Sequence, residues 1–326
     1  MLSLKFNNVY INDFECIVGK NEKDGNIKNV ECINNYYHGE KTFELSQIKM
    51  QYEVINKLLC KNNLIDQDVD LIIGGDLLNQ ITGTTYSLKR FNISLLGIYS
   101  ACASFIESLI IASEFLMNEN INKVVCTTSS HNLAAERQFR YPVEYGAIRN
   151  VNSTFTTTGS ISCLVSNKRG KIKINSATIG SVFDYDIKDA NMIGAIMAPS
   201  AAEVLVNHLN NNGINIDYYD LILTGDLGNV GSSILKDYLY EEFHIKVNNI
   251  KDAGSNLYNN ISDINDGASG PLALPLYFFY NIINQKKYRK ILLIGTGALH
   301  SSTMVNQSQG IPSIAHAIDL EVCIWV

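Results

Sequence analysis

The 326-residue chain is 46% hydrophobic and 18% charged, enough apolar material for a large core in one or two domains, which excludes a disordered protein. Its net charge of -6, pI near 5.5 and lack of any run of five like charges argue against a nucleic-acid or anionic-lipid surface. The seven cysteines (Cys16, Cys32, Cys60, Cys102, Cys126, Cys163 and Cys323) stand singly, which argues against a disulfide frame and a zinc site and predicts reduced thiols.

In chain order, the opening MLSLKFNNVYINDFECIVGK alternates as a strand does. It carries acidic residues where a secretion signal needs a basic start and an apolar run, so the expectation is an intracellular protein. No window of about 18 apolar residues occurs, the candidates 109–117 and 272–283 being interrupted or short, so membrane association is expected only through a partner. DLIIGGDL at 70–77 predicts a buried strand. The polar NQITGTTYSLKRFN leads to an apolar run over 93–99, then SACAS, then a helical pattern over 105–117 and a second buried strand, KVVCTTSSH, at 123–131. Strands at Gly159–Ser166 and 171–179 are expected to pair across the turn NKRG.

The later half repeats this order. DLILTGDL at 220–227 echoes DLIIGGDL and is followed by a helix over 231–243, a short strand around Val247, a helix over 271–284, the strand KILLIGTGALH at 290–300 and an alternating strand over 314–325. Strand and helix in alternation favour parallel βαβ units with right-handed crossovers, here in two copies, residues 1–180 and 181–326. Ligands of such sheets collect beyond the carboxyl ends of the strands, which directs attention to GGD at 74–76, TSSH at 128–131, TGD at 224–226 and GTGALH at 295–300.

Cys102 follows a buried strand and opens an apolar helix. The helix dipole and unpaired N–H groups there favour a thiolate nucleophile; the alternative is a small buried hydrophobe. A thiolate needs a proton-transfer partner. His131, at a strand tip, is the best candidate, with His300 and His316 next, while His38, His208 and His244 sit in polar or surface-helix contexts that predict exposure. The segment HNLAAERQFRYPVEYG at 131–146 sets Arg137 and Arg140 three apart, and two guanidinium forks match two carboxylates. The alternative is a surface helix with Glu136 paired to Arg140. Gly295 and Gly297 admit close backbone approach to an anion, but the lone G-x-G does not support dinucleotide binding, and the glycines of DGASG at 266–270 read as a tightly packed helix entry.

With these residues in place, the chain resembles the thiolase superfamily. SACAS with Cys102 is similar to its nucleophile turn, TGSISCLVSN to the strand ending its first half, and GTGAL to its closing glycine turn. The resemblance implies two duplicated halves in five αβαβα layers, usually dimeric. Segments such as GGDLLNQ, TSSHNLAAERQFRYPVEYG, IMAPSAAE, YYDLILTGDL, VGSSILKD and IPSIAH further resemble the stage V sporulation AD family of endospore-forming bacteria. That resemblance implies a non-enzymatic protein that binds dipicolinic acid, free or as its calcium chelate, without a cofactor. It also implies a homodimer that works with other stage V sporulation A membrane-complex proteins, is peripheral on the spore inner membrane, and bears on uptake in sporulation and on germination. Where a ketoacyl synthase carries a catalytic histidine after the first strand of its second half, this chain has Asp226. On this view Cys102, Ser129, His131, Arg137, Arg140 and Gly297 are expected to meet the ligand, with Asp76 and Asp226 on the ligand or its calcium. The rival expectation is an acyltransferase using Cys102, with His131 or His300 as base; a third is a scaffold that only docks onto membrane partners.

Overall fold

A computed structural model of the protein describes residues 1–139, 153–258, 261 and 264–323. The first half comprises β1 (Leu2–Val18), α1 (Phe43–Lys61), β2 (Leu71–Asp76), α2 (Thr82–Leu88), β3 (Leu95–Gly97), α3 (Ser104–Phe115), β4 (Lys123–Ser130), α4 (Asn132–Phe139) and β5 (Gly159–Ser166). The second comprises β6 (Ile172–Ile179), α5 (Ile193–Asn212), β7 (Leu221–Thr224), α6 (Gly228–Phe243), β8 (Ile250–Asp252), α7 (Ala253–Leu257), α8 (Ala273–Tyr277), β9 (Lys290–Ala298) and β10 (Ser313–Val322). α1 was not predicted; it starts where the Thr42 side chain accepts a hydrogen bond from the Leu45 amide, and it turns Met50, Val54, Ile55, Leu58 and Leu59 toward the sheet at helical spacing.

The ten strands lie in one hydrogen-bonded path, β8-β7-β9-β10-β6-β1-β5-β4-β2-β3. From the centre outward the orders β1-β5-β4-β2-β3 and β6-β10-β9-β7-β8 match, each with parallel outer strands and antiparallel inner ones. The chain is therefore built twice, with the two copies joined by an antiparallel β1–β6 ladder from Leu2↔Ile179 to Ile11↔Ile172. This corrects the expected hairpin between Gly159–Ser166 and 171–179, and with it the expected division at residue 180, since Ile172–Ile179 is the innermost strand of the second copy. β1 lies between those strands, and Ile11 is partnered by Val165 on one side and Ile172 on the other. NKRG crosses the end of β1, a step of two strand spacings or roughly 10 Å, rather than closing a tight turn.

Alternation along each strand sorts the cores into layers. Ile73, Val124 and Cys126 of the first half join Leu221, Leu223, Ile291 and Leu293 of the second around Phe105, Ile106, Leu109 and Phe278. Their neighbours Ile72 and Val125 face Ile55 and Leu58 of α1, and Ile222, Leu292 and Ile294 face Ala198 and Leu205 of α5. Helices outside, two sheet halves, and helices between them give the five αβαβα layers. The helix predicted over 271–284 is α8 continued by a π-helical segment, Phe278–Ile282, with Phe279 stacked on Phe14 at 4.3 Å. The strand expected around Val247 begins later, at Ile250.

Glu22 also ties the halves together. Fully buried, it accepts hydrogen bonds from the Thr158 amide, at 2.9 Å, and from the Tyr258 hydroxyl. Burial raises its carboxyl to about 7 despite these bonds. Among the described residues, no helix is long and apolar enough to cross a membrane.

Candidate functional site

SACAS forms a tight bend between β3 and α3. Ala101 takes φ +50°, a left-handed conformation unusual for a residue with a Cβ, so local strain is stored next to Cys102. The Ser104 hydroxyl accepts from the Ser100 amide at 3.1 Å and donates to the Ala101 carbonyl at 2.8 Å, while the Ser100 hydroxyl donates to Glu107 at 2.7 Å. The bend is locked by its own serines.

β9 of the other half passes directly against this bend. A Cβ at Gly295 would lie 2.7 Å from Ile106 Cγ1, and one at Gly297 would lie 2.2 Å from the Ser100 carbonyl oxygen. These glycines seat the Cys102 bend on the second half. Gly297 was expected to meet the ligand; the space its missing side chain leaves is filled by Ser100.

Asp226 completes the seam. It follows β7, is 1% exposed, and accepts from Thr296 Oγ1 at 2.8 Å and from the Gly270 amide at 3.0 Å. Cys102 lies beside it as well. Burial raises Asp226 to about 7, Cys102 and Thr296 pull it down, and nearby Asp252 pushes it up. Asp252 is buried too, but its oxygens accept from Thr224 and from the amides of Leu227, Gly228 and Ser255, a structural anchor at the start of α7.

Cys102, Thr156, Ser269 and Gly270 form one side of a cavity of about 50 Å³ whose other walls include Leu77, Tyr99, Phe139, Ile193 and His300. The Phe139 ring meets the His300 imidazole edge-on at 5.6 Å. Both residues also line a neighbouring space of about 400 Å³ that is polar and partly basic, bordered by Arg137, Lys188, Asn191, Ser302 and Asn306. Phe139, Ala190 and His300 line both spaces, and the outer one sets Arg137 and Lys188, ion-paired with Glu44 and Asp186, beside Asp189. Lys188 and Phe139 were not among the expected ligand residues; Lys188 sits in the irregular stretch before α5, where no periodicity marks it.

Several expected residues lie elsewhere. Ser129 and Asp76 share strand parity with Val125 and Ile72, so they face α1: Ser129 donates to Gln51 at 2.9 Å, and Asp76 accepts from the amides of Leu78 and Thr84. His131 is fully buried under Tyr36 and Phe43 and does not line the cavity. Arg137 pairs with Glu44 and lies 6.0 Å over the Phe43 ring, at the edge of the outer chamber. Arg140 lies outside the described residues. His208, expected at the surface, is fully buried between Thr178 and the Tyr219 hydroxyl, each at 2.8 Å, because α5 is covered on that side by the sheet. His316 is buried as well and accepts from the Gly180 amide at 3.2 Å. Of the others, His244 is exposed and His38 pairs with Glu53 at 2.8 Å. Among the described residues, no cluster of three histidine, cysteine or acidic side chains is placed to hold a metal ion.

Comparison with known proteins follows the same lines. The model of the family Stage V sporulation protein AD (SpoVAD) matches residues 2–321. The stage V sporulation protein AD of Bacillus subtilis (strain 168) is 35% identical over 318 residues, covering 96% of this chain and 94% of that protein. Among solved structures, OleA of Xanthomonas campestris with cerulenin soaked in superposes with a TM-score of 0.63 at 13% identity, covering 98% of this chain and all of that one. A cerulenin co-crystal of the same protein gives 0.60 at 13% identity, covering 98% of each chain. At such identity the likeness establishes the shared thiolase-like fold.

Proposed function

Since the chain belongs to the stage V sporulation protein AD family, we propose that it is a non-catalytic binding protein, a carrier that holds dipicolinic acid, free or as its calcium chelate, and supports its uptake into the developing spore. The observation that carries this reading is the partner of Cys102. Cys102 lies beside the buried carboxyl of Asp226, and a carboxyl cannot become the cation that stabilises a thiolate. The nucleophile bend is kept, with a carboxyl set beside it.

The ligand chemistry suits the paired chambers. Dipicolinate is a flat ring flanked by two carboxylates; Phe139 and His300 offer ring faces at the mouth, and Arg137 and Lys188 supply charge beyond it. Calcium, on this reading, travels with the ligand. Isothermal titration with dipicolinate, with and without calcium, tests the proposal: a saturable heat supports it, and no heat at millimolar ligand defeats it.

One observation favours a second reading, an acyltransferase. His300 lines the same chamber as Cys102. Incubation with acetyl-CoA or malonyl-CoA followed by intact mass separates the two, since an acyl adduct that vanishes in Cys102→Ser would establish the enzyme.

The carrier is proposed to act as a homodimer at the inner spore membrane, held there by membrane-complex partners. Support for self-association comes from the edge strand β3, where Leu95, Leu96 and Gly97 are all exposed and Tyr99 beyond them is 45% exposed. One side of β3 pairs with β2, and its open edge offers unpaired N–H and C=O groups to a second copy.

A further inference from the structure

The polar neighbours of Asp226 bear on how the chamber holds an anion, and this inference rests on the binding reading above. Asp226 accepts from the Gly270 amide and lies beside Cys102, and both of these line the inner chamber, so the carboxyl stands directly behind the chamber wall. Among the described residues, no lysine or arginine pairs with it. From the α7 side it faces Asp252; across Gly228 stands Asp266; from the bend it faces Cys102; from β9 it faces the neutral Thr296. The titratable groups on the chamber wall itself are Tyr99, Cys102 and His300. A buried carboxylate surrounded by acidic and neutral groups is poorly compatible with a second negative charge nearby, because the surrounding medium screens little.

We infer that Asp226 is a proton store beneath the guest: an anionic ligand is bound together with a proton on this carboxyl and is held less tightly as the pH rises. The sign follows from the two protonation states. Asp226 stands near 7, chiefly through burial, so at about pH 6 it is already largely protonated and at about pH 8 it is largely ionised. Ordinary carboxyl groups of the guest are ionised across that whole window. Binding at the lower pH therefore needs little proton uptake, whereas binding at the higher pH draws up to one proton, and the affinity falls by up to about tenfold per pH unit above the Asp226 midpoint. His300 also lines the chamber, so any contribution from its imidazole must be separated by substitution.

The test is calorimetric titration of dipicolinate into the full chain at about pH 6 and about pH 8, in pairs of buffers of different ionisation enthalpy, for the wild type, Asp226→Asn and His300→Gln. Expected are proton uptake at the higher pH and a several-fold loss of affinity in the wild type and in His300→Gln. Asp226→Asn, whatever its absolute affinity, should show neither. If Asp226→Asn does not fold, the protonated-carboxyl infrared band of the wild type decides, since it should grow when ligand is added at the higher pH. Binding without proton uptake, uptake that survives in Asp226→Asn, uptake lost in His300→Gln, or a carboxyl band unchanged by ligand overturns the inference. Absence of any binding heat would defeat the carrier reading itself, a result distinct from binding without a linked proton.

Discussion

The Nε2–H of His131 donates to the carbonyl oxygen of Tyr36 across 2.8 Å, which fixes the imidazole between the rings of Tyr36 and Phe43. Burial lowers the histidine to about 4, so it is neutral at ordinary pH and brings no charge to a ligand. His131→Ala should cost about 2–4 kcal/mol of stability, through lost packing and an orphaned carbonyl. Urea unfolding measures this, and a neutral outcome would show that the aromatic sandwich is not a structural support. Dipicolinate affinity at a temperature where the variant stays folded should change by less than about twofold.

Glu22 makes stability depend on pH in a definite direction. Its folded value of about 7 lies above the ordinary carboxyl value of 4.5, so its contribution is present in full below about 4.5 and is lost as the pH rises through 7. Glu22→Gln keeps an oxygen for Thr158 and Tyr258 and removes the titration. The variant should gain on the wild type between about pH 4.5 and 7.5 by up to roughly 3 kcal/mol. Unfolding midpoints at the two pH values decide, and parallel profiles would refute the assignment.

Arg137 and Lys188 border the outer chamber. Replacing either with alanine should weaken dipicolinate binding about tenfold, near 1.4 kcal/mol, because each supplies a single partly exposed charge. The loss should shrink with added salt. Titration of both variants at two ionic strengths checks this, and unchanged affinity would remove the outer chamber from the binding path.

At the β3 edge, Leu96 is 36% exposed and carries no polar atom for water. Leu96→Lys, a charge of the kind that protects natural sheet edges, should shift the protein from dimer to monomer in light scattering without lowering its melting temperature by more than a few degrees. A monomeric wild type would show that this edge is not a contact.

Much of the fold was legible because its signal is periodic. DLIIGGDL and DLILTGDL marked β2 and β7, the first parallel strands of each copy, and the apolar runs became β4 and β9. What could not be read was parity. Strands covered on both faces are apolar at every position, so nothing in KVVCTTSSH reveals that Ser129 turns outward to Gln51 while Ser130 turns inward to Thr157. For the same reason the strand-tip position of Asp76 points to a ligand, whereas its carboxylate fastens Leu78 and Thr84. The Cys102–Asp226 relationship was half visible: Asp226 stood out through the resemblance to related enzymes, but its place beside Cys102 joins segments more than a hundred residues apart.

Proteins with a ligand site between two lobes commonly load it by swinging the lobes apart. Here the ladder that runs from Leu2↔Ile179 to Ile11↔Ile172 stitches the lobes along their common border, and the bare strip of Gly295 and Gly297 is clasped by the opposite lobe. The border between the lobes is thus backbone ladder and close backbone contact, which resists separation far more than a few side-chain contacts would.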